Sequence, residues 1–268
     1  MIPATIKALI LDMDGVLWTE RRPIGDLAAI FARITERRLR VVLATNNATR
    51  TPQQYLERLS DLGVHLEPWQ VVTSALAVAE LLAQRFPQGD EVYAIGEAGL
   101  IQALEERGFK PLVEEEVAQS AAPLHIQAVV MGMDRGISYA KLRRAALLIR
   151  GGVPFYATNP DCTFPTPEGL IPGAGALVAA LAAATDIQPI FAGKPSPALL
   201  ELALERLGTA KDETLVVGDR LETDIAGGQA IGCPTALVLS GVTRWEAAQA
   251  WRPPVDVIAE DLAALVGN

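Results

Sequence analysis

Short apolar runs alternate with helix-period stripes along nearly the whole chain. Ala8 to Leu11 is strand-like, and Leu27, Ile30, Phe31 and Ile34 follow at i, i+3, i+4 and i+7, the stripe of an amphipathic helix. Val41 to Ala44 is again strand-like. Thr51 and Pro52 have the character of an N-cap and first helical residue, and Gly63 that of a helix stop. The alternation returns towards the end. Pro189 to Ala192 predicts a strand, Ser196-Pro197 opens a helix carrying Leu199, Leu200, Ala203 and Leu207, and Leu215 to Val217 predicts another strand. A helix is expected from Asp224 to Ala230 and a strand from Ala236 to Leu239. Between these regions, Glu91 to Ile95 and Ala128 to Met131 have strand character, with helices expected at 98–107 and 138–150. Such alternation implies right-handed crossovers and an α/β fold, a doubly wound parallel sheet with helices on both faces.

Composition narrows the function. Half of the 268 residues are hydrophobic and 21% are charged, a globular balance able to bury a sizeable core. The formal net charge of −9 argues against a nucleic-acid partner, because backbone phosphates need a positive surface. The basic pairs Arg21-Arg22, Arg37-Arg38 and Arg143-Arg144 are short and diluted by apolar neighbours, and they fit solvated faces, as does Glu114 to Glu116. Cys162 and Cys233 have no CxxC spacing, so a reducing cytoplasm is the expected compartment. The N-terminal segment has no basic region or cleavage site of a signal peptide, and the alanine-rich stretch 174–184 is too short to span a bilayer, so no membrane partner is expected. The segment from Thr158 to Gly173 is rich in proline and glycine and is expected to be a long loop. Monomer and homodimer are both compatible with the chain.

Ligands of open parallel sheets bind beyond the carboxyl ends of the strands. Four predicted strand ends carry polar residues: Asp12-Met13-Asp14-Gly15, Thr45-Asn46-Asn47, Gly193-Lys194-Pro195, and Gly218-Asp219-Arg220 followed by Thr223-Asp224. Each alone has an ordinary explanation. Asp and Gly are turn residues, Thr-Asn-Asn suits a turn, Lys194 suits a surface, and Asp224 suits a helix cap. Together they bring carboxylates and a lysine to one sheet edge, where like charges repel unless a cation binds. The candidate ligands are oxygens, which suits Mg²⁺, and neither His65 nor His125 lies in these motifs. Gly173-Ala-Gly-Ala lacks the lysine and the preceding strand of a P-loop.

The four motifs, in this order, resemble those of the haloacid dehalogenase superfamily. The match is closest to the branch of 4-nitrophenyl phosphatases, phosphoglycolate phosphatases and NagD-like sugar and nucleotide phosphatases (subfamily IIA). It rests on Asp12-Met-Asp-Gly-Val-Leu-Trp, Thr45-Asn-Asn, Gly193-Lys-Pro-Ser-Pro and Gly218-Asp-Arg-Leu-Glu-Thr-Asp-Ile, and on the length of the insert between the second and third motifs. The resemblance implies a core built from 1–76 and 184–268 and an inserted α/β cap at 77–183. It implies Asp12 as nucleophile, Asp14 as acid and base, and Lys194 as the neutralising cation. Thr45, Asn46 and Asn47 would hold phosphate. Mg²⁺ would be bound by Asp12, Asp219 and the Asp14 carbonyl, with Asp224 ordering the surroundings. The cap segment Gly132-Met-Asp-Arg-Gly-Ile-Ser-Tyr resembles a substrate-specificity loop, which makes Arg135 and Gly136 candidate substrate contacts, with Asn159 and Asp161 as further candidates. Where animal phosphoglycolate and pyridoxal-phosphate phosphatases carry a histidine, this chain has Gly136.

The expected activity is Mg²⁺-dependent hydrolysis of a small-molecule phosphate ester through an aspartyl-phosphate. The expected substrate is a sugar phosphate, a nucleotide or a phosphoglycolate-like compound, with 4-nitrophenyl phosphate as an artificial one. A phosphomutase, or a silent regulator that binds a phosphorylated metabolite, would share the core motifs.

Overall fold

The computed structural model describes residues 2–19, 22–119, 124–166 and 168–267; Arg21 of the first basic pair and Pro167 of the expected loop lie outside them. The chain divides into two compact units, one comprising Met1–Thr45, Pro52–Val72 and Lys194–Asn268, the other Asn46–Thr51 and Thr73–Gly193.

The first unit is organised on the sheet order Val257–Ala259, Thr235–Val238, Thr214–Gly218, Ala8–Leu11, Arg40–Thr45, Val71–Thr73. Ala8–Leu11 pairs in parallel with Thr214–Gly218 on one side and Arg40–Thr45 on the other, with Leu11 level with both Val217 and Leu43. Its four residues are buried, as expected of a central strand covered on both faces. The chain moves to one side of this strand first and to the other side later. Its carboxyl end is therefore a point where strand order reverses, the place where such sheets leave a crevice.

The helices fit their stripes. Leu27–Glu36 buries Leu27, Ile30, Phe31 and Ile34, and the Asp26 side chain caps it by accepting from the Ala29 N–H at 3.1 Å. Pro197–Leu207 buries Leu199, Leu200, Ala203 and Leu207. Burying each such leucine contributes roughly 1.5–3 kcal/mol. Gly208, at φ +61°, closes that helix in the left-handed conformation that glycine adopts without penalty.

The second unit has its own sheet, in the order Ile190–Phe191, Phe155–Ala157, Val129–Met131, Glu91–Ile95, Lys110–Leu112, parallel throughout. Tyr93, Ile95, Val129, Met131, Ile149, Phe155, Val178 and Leu181 form its core.

Three sequence expectations are corrected. The segment after Thr158 is not a plain loop, because Thr163–Thr166 pairs antiparallel with Gly169–Pro172. The helix expected from Asp224 starts earlier, with a π-helical turn at Leu221–Ile225 leading into Ala226–Ala230, so Asp224 sits inside the first turn and not at a cap. Glu114 is not merely solvated, since it accepts from the Tyr93 hydroxyl at 2.9 Å and pairs with Arg144 at 3.4 Å. No helix among the described residues is long and apolar enough to cross a membrane.

Candidate active site

Asp12 continues the central strand. Its N–H donates to the Val217 carbonyl at 2.9 Å, which carries its side chain just past the sheet edge. The chain then turns sharply at Gly15, where φ is +86°; a Cβ there would lie 2.5 Å from the Asp219 carboxyl carbon. Glycine at this position thus serves both the turn and the close approach to Asp219. Thr45, at the end of the neighbouring strand, is buried.

Lys194 gathers the site. Its ammonium donates to Asp12 Oδ1 at 2.6 Å and to the Ala44 carbonyl at 2.9 Å, and it pairs with Asp224 Oδ1 at 2.6 Å. Only 3% of its side chain is exposed, against 11% for Asp12 and 2% for Asp224. Burial alone would push the ammonium's pKa down, but Asp12 and Asp224 more than offset this and hold it above its usual range. The second oxygen of Asp224 accepts from the Arg220 N–H at 3.1 Å, made possible by Gly218, whose absent Cβ would fall 2.1 Å from that of Asp224.

Asp219 is held by a segment absent from the motif reading, Ser240-Gly241-Val242. The Val242 N–H donates to Asp219 Oδ2 at 2.7 Å, and Ser240 Oγ donates to the Gly15 carbonyl at 2.7 Å. A Cβ on Gly241 would lie 2.0 Å from Asp219 Oδ2, so the backbone passes where no other residue fits. The sequence signal was available, since Ser-Gly lies just beyond the strand Thr235–Val238 and hence at the same sheet edge. Asp219 Oδ1 is buried with no hydrogen-bond partner among the described residues.

That orphaned oxygen tests whether a cation fits. Asp12, Asp219 and Asp224 each offer a carboxylate oxygen within 4.8 Å of the others. Burial pushes Asp12 well above the ordinary carboxylate range; Lys194 opposes the shift, while Asp224, Asp219 and Asp14 add to it. Burial likewise pushes Asp219 up to about 7, with Asp224 adding and the Val242 N–H opposing. The cluster is short of positive charge even with Lys194 present, and a buried hard oxygen stands unsatisfied. A divalent cation fits both features.

Asp14 differs from these acids. It is exposed, and its Oδ1 accepts from Trp18 Nε1 at 2.9 Å.

The remaining candidates belong to the second unit. The Asn46 side-chain amide donates to Asp161 Oδ2 at 3.0 Å, and the Asn46 backbone carbonyl accepts from Asn159 Nδ2 at 2.7 Å and Ser74 Oγ at 2.5 Å. Asn47 Oδ1 accepts from the Thr49 N–H at 3.0 Å and the Thr49 hydroxyl at 2.7 Å, an Asx turn. Arg135 is exposed but engaged, with its guanidinium on both oxygens of Glu97 at 2.7 and 2.5 Å, a pairing that holds the Glu97 carboxyl below its usual range. The Gly136 N–H donates to Asp134 Oδ1 at 2.8 Å, and its carbonyl accepts from Lys141, which also pairs with Asp134 at 2.8 Å. The structure thus brings Asp12, Lys194, Asp219 and Asp224 into direct association, with Asp14 and Thr45 in the same unit. It sets Asn46, Asn47, Arg135 and Gly136 in the other.

A model of haloacid dehalogenase-like hydrolases matches residues 9–110, and a HAD-hydrolase-like model matches residues 191–265. An acid sugar phosphatase of Staphylococcus aureus (strain USA300) is 36% identical over 256 residues, 96% of this chain and 95% of that protein. The crystal structure of a 4-nitrophenylphosphatase from Thermotoga maritima superposes with a TM-score of 0.88 at 32% identity, covering 98% of this chain and 97% of that one. A Mycobacterium tuberculosis glycerol phosphate phosphatase, solved in complex with magnesium, does so with a TM-score of 0.88 at 36% identity, covering 97% and 76%. The chain belongs to the haloacid dehalogenase-like hydrolases, in the subfamily IIA branch. It is a phosphoric monoester hydrolase.

Proposed function

We propose that the protein hydrolyses a small-molecule phosphate ester in a Mg²⁺-dependent reaction that passes through a phosphoryl group on Asp12. The observation that carries this reading is the Lys194 ammonium 2.6 Å from Asp12 Oδ1, in a cluster where Asp219 Oδ1 has no hydrogen-bond partner among the described residues. Asp12 and Asp219, with the Asp14 carbonyl, would hold the metal. Asp224 has both oxygens engaged, by Lys194 and by the Arg220 N–H, and this suits an orienting role.

In the first step an Asp12 oxygen forms a bond to phosphorus while the bond from phosphorus to the leaving oxygen breaks, and that oxygen takes the proton of Asp14. In the second, water attacks the same phosphorus as Asp14 takes a proton from it. The acyl-phosphate bond breaks, giving inorganic phosphate and ionised Asp12. Lys194 places a fixed positive charge against the nucleophile and the phosphoryl oxygens it approaches, and the buried surroundings keep that charge strong. Thr45 and the backbone of Asn46 and Asn47 would donate to the remaining phosphate oxygens. When bound, a divalent cation supplies further neutralisation of phosphoryl charge.

The relatives named for sugar phosphate, 4-nitrophenyl phosphate and glycerol phosphate direct the search to small phosphorylated alcohols, with nucleotides and phosphoglycolate included. The test is phosphate release over that panel with Mg²⁺, with EDTA, and with Mg²⁺ restored. Activity should vanish on chelation and return with the metal. Full activity after exhaustive chelation would remove the metal from the reading. Phosphoryl transfer between positions of a sugar without release would identify a mutase, and binding without turnover a regulator.

The cap at 77–183 is proposed to set the ranking of substrates through Arg135 and Gly136. A Cβ on Gly136 would lie 3.3 Å from Asp134 Oδ1 and 3.9 Å from Lys141 Nζ, room for a larger residue after a small adjustment. Gly136→His should keep kcat/KM for 4-nitrophenyl phosphate within about tenfold, roughly 1.4 kcal/mol. Values for the other esters should shift unevenly. A uniform loss across the panel would make the loop structural.

A further inference from the structure

The turn Ser240-Gly241-Val242-Thr243 has no side chain in the chemistry so far, yet it touches separate parts of the site at once. It grips Asp219 by side chain and by backbone. The Val242 N–H donates to Oδ2 at 2.7 Å, the Thr243 N–H donates to the Asp219 carbonyl at 3.2 Å, and Gly241 lets the chain pass where a Cβ would fall 2.0 Å from Oδ2. Val242 is 63% exposed, so what this position contributes inward is its N–H. An amide N–H only donates. It claims Oδ2 and leaves Oδ1, buried and with no hydrogen-bond partner among the described residues, as the oxygen still to be satisfied. The other contact is the Ser240 hydroxyl, which donates to the Gly15 carbonyl at 2.7 Å. Gly15, at φ +86°, is a permissive hinge that needs outside restraint. Its N–H donates to the Trp18 carbonyl at 2.7 Å. In a planar trans peptide that N–H and the Asp14 carbonyl point in opposite directions, so this bond fixes the peptide plane of the Asp14 carbonyl, and Ser240 fixes the next plane.

We propose that Ser240 is a positioning residue for the divalent-cation site. Its hydroxyl ties the turn that carries the Asp14 carbonyl to the segment that orients Asp219, so that these ligand oxygens are held in register before a cation binds. This rests on the reading of Asp219 and the Asp14 carbonyl as metal ligands. The gain is preorganisation. Oxygens that move independently must be ordered on binding, and that cost is subtracted from affinity. A hydroxyl that only closed a surface turn would find its acceptor within the turn. This one reaches across 225 positions of sequence, onto the residue next to Asp14. Partners that orient metal ligands are typically worth about 10–100-fold in metal affinity.

Mg²⁺ binding by the intact chain separates this role from simple loop closure. Calorimetric titration with MgCl₂ alone, without substrate, should show Ser240→Ala binding about 10–100-fold more weakly than wild type. Its melting temperature in EDTA should fall by no more than about 6 °C, the effect of one lost hydrogen bond. The rise in melting temperature that a fixed Mg²⁺ concentration produces should shrink accordingly. Ser240→Thr, which keeps the hydroxyl, should bind Mg²⁺ within about threefold of wild type. Wild-type affinity in Ser240→Ala would overturn the proposal, and so would equal losses in the Ala and Thr variants. A lower melting temperature in EDTA with Mg²⁺ affinity intact would make Ser240 a structural contact and nothing more. Asp219→Asn, titrated alongside, tests the underlying reading. If it binds Mg²⁺ as wild type does, the ligand assignment is wrong and the role of Ser240 falls with it. A loss in Asp219→Asn with none in Ser240→Ala leaves the cation site standing and removes Ser240 alone.

Discussion

Asp12→Asn will fold and release no measurable phosphate from any ester, a loss of at least about four orders of magnitude in kcat, or ~5.5 kcal/mol of transition-state stabilisation. The amide is nearly isosteric, and its oxygen can still accept from Lys194, the contact the carboxylate makes at 2.6 Å. It cannot form the acyl-phosphate. Stability should not suffer. Burial and three neighbouring acids already penalise the Asp12 anion, so replacing it by a neutral group relieves repulsion within the cluster. Folding is checked by circular dichroism and by a melting temperature at or above that of the wild type in EDTA. The chemistry is checked by quenching wild-type protein with labelled substrate and seeking a hydroxylamine-sensitive label that the variant lacks. Wild-type kcat in a folded variant would eliminate Asp12 as nucleophile.

The sequence revealed most where burial forces a simple pattern. Ala8–Leu11 and Thr214–Gly218 are covered on both faces, and this demands unbroken apolar runs that can be recognised without neighbours. Because the central strand lies where strand order reverses, the polar residues that end these runs converge, and Asp12, Lys194, Asp219 and Asp224 could be nominated together. What stayed hidden was short or held by backbone. Val71–Thr73 and Lys110–Leu112 have three residues each, too few to establish a period. The hairpin Thr163–Thr166 with Gly169–Pro172 carries prolines that argue against a strand, yet edge positions tolerate them. The Ser240-Gly241-Val242 clamp acts through an N–H and a missing Cβ, neither of which has a side-chain signature. The Arg135 to Glu97 pairing joins residues far apart in sequence, so a cation that the sequence offers to substrate is already engaged by an acid of its own unit.

Lys194→Met should depress every substrate alike, by about 10³-fold or more in kcat/KM, because all share the phosphoryl group whose charge the ammonium offsets. It should also destabilise the fold, unlike Asp12→Asn. The ammonium is buried between Asp12 and Asp224, and its removal leaves two enclosed carboxylates facing each other. Breaking a buried pair in this way typically costs about 3–5 kcal/mol, which for a chain of this size lowers the melting temperature by roughly 6–20 °C. The deficit should depend on pH in a definite direction. Burial raises the Asp12 pKa even with Lys194 present, and without the lysine burial and the neighbouring Asp224, Asp219 and Asp14 carboxylates push it further upward. A carboxyl whose folded pKa exceeds its unfolded value holds a proton in the native state that the unfolded chain releases. That stability is fully present below the unfolded value of about 3.9 and is lost as pH rises through the folded one. With metal chelated, the melting temperature of Lys194→Met should therefore lie closer to wild type at pH 5 than at pH 8. Activity is read at a temperature where circular dichroism shows the variant folded, so that loss of catalysis and loss of structure are measured separately. A folded variant that merely reorders substrates, or a melting deficit that shrinks as pH rises, would show that Lys194 does not neutralise these acids.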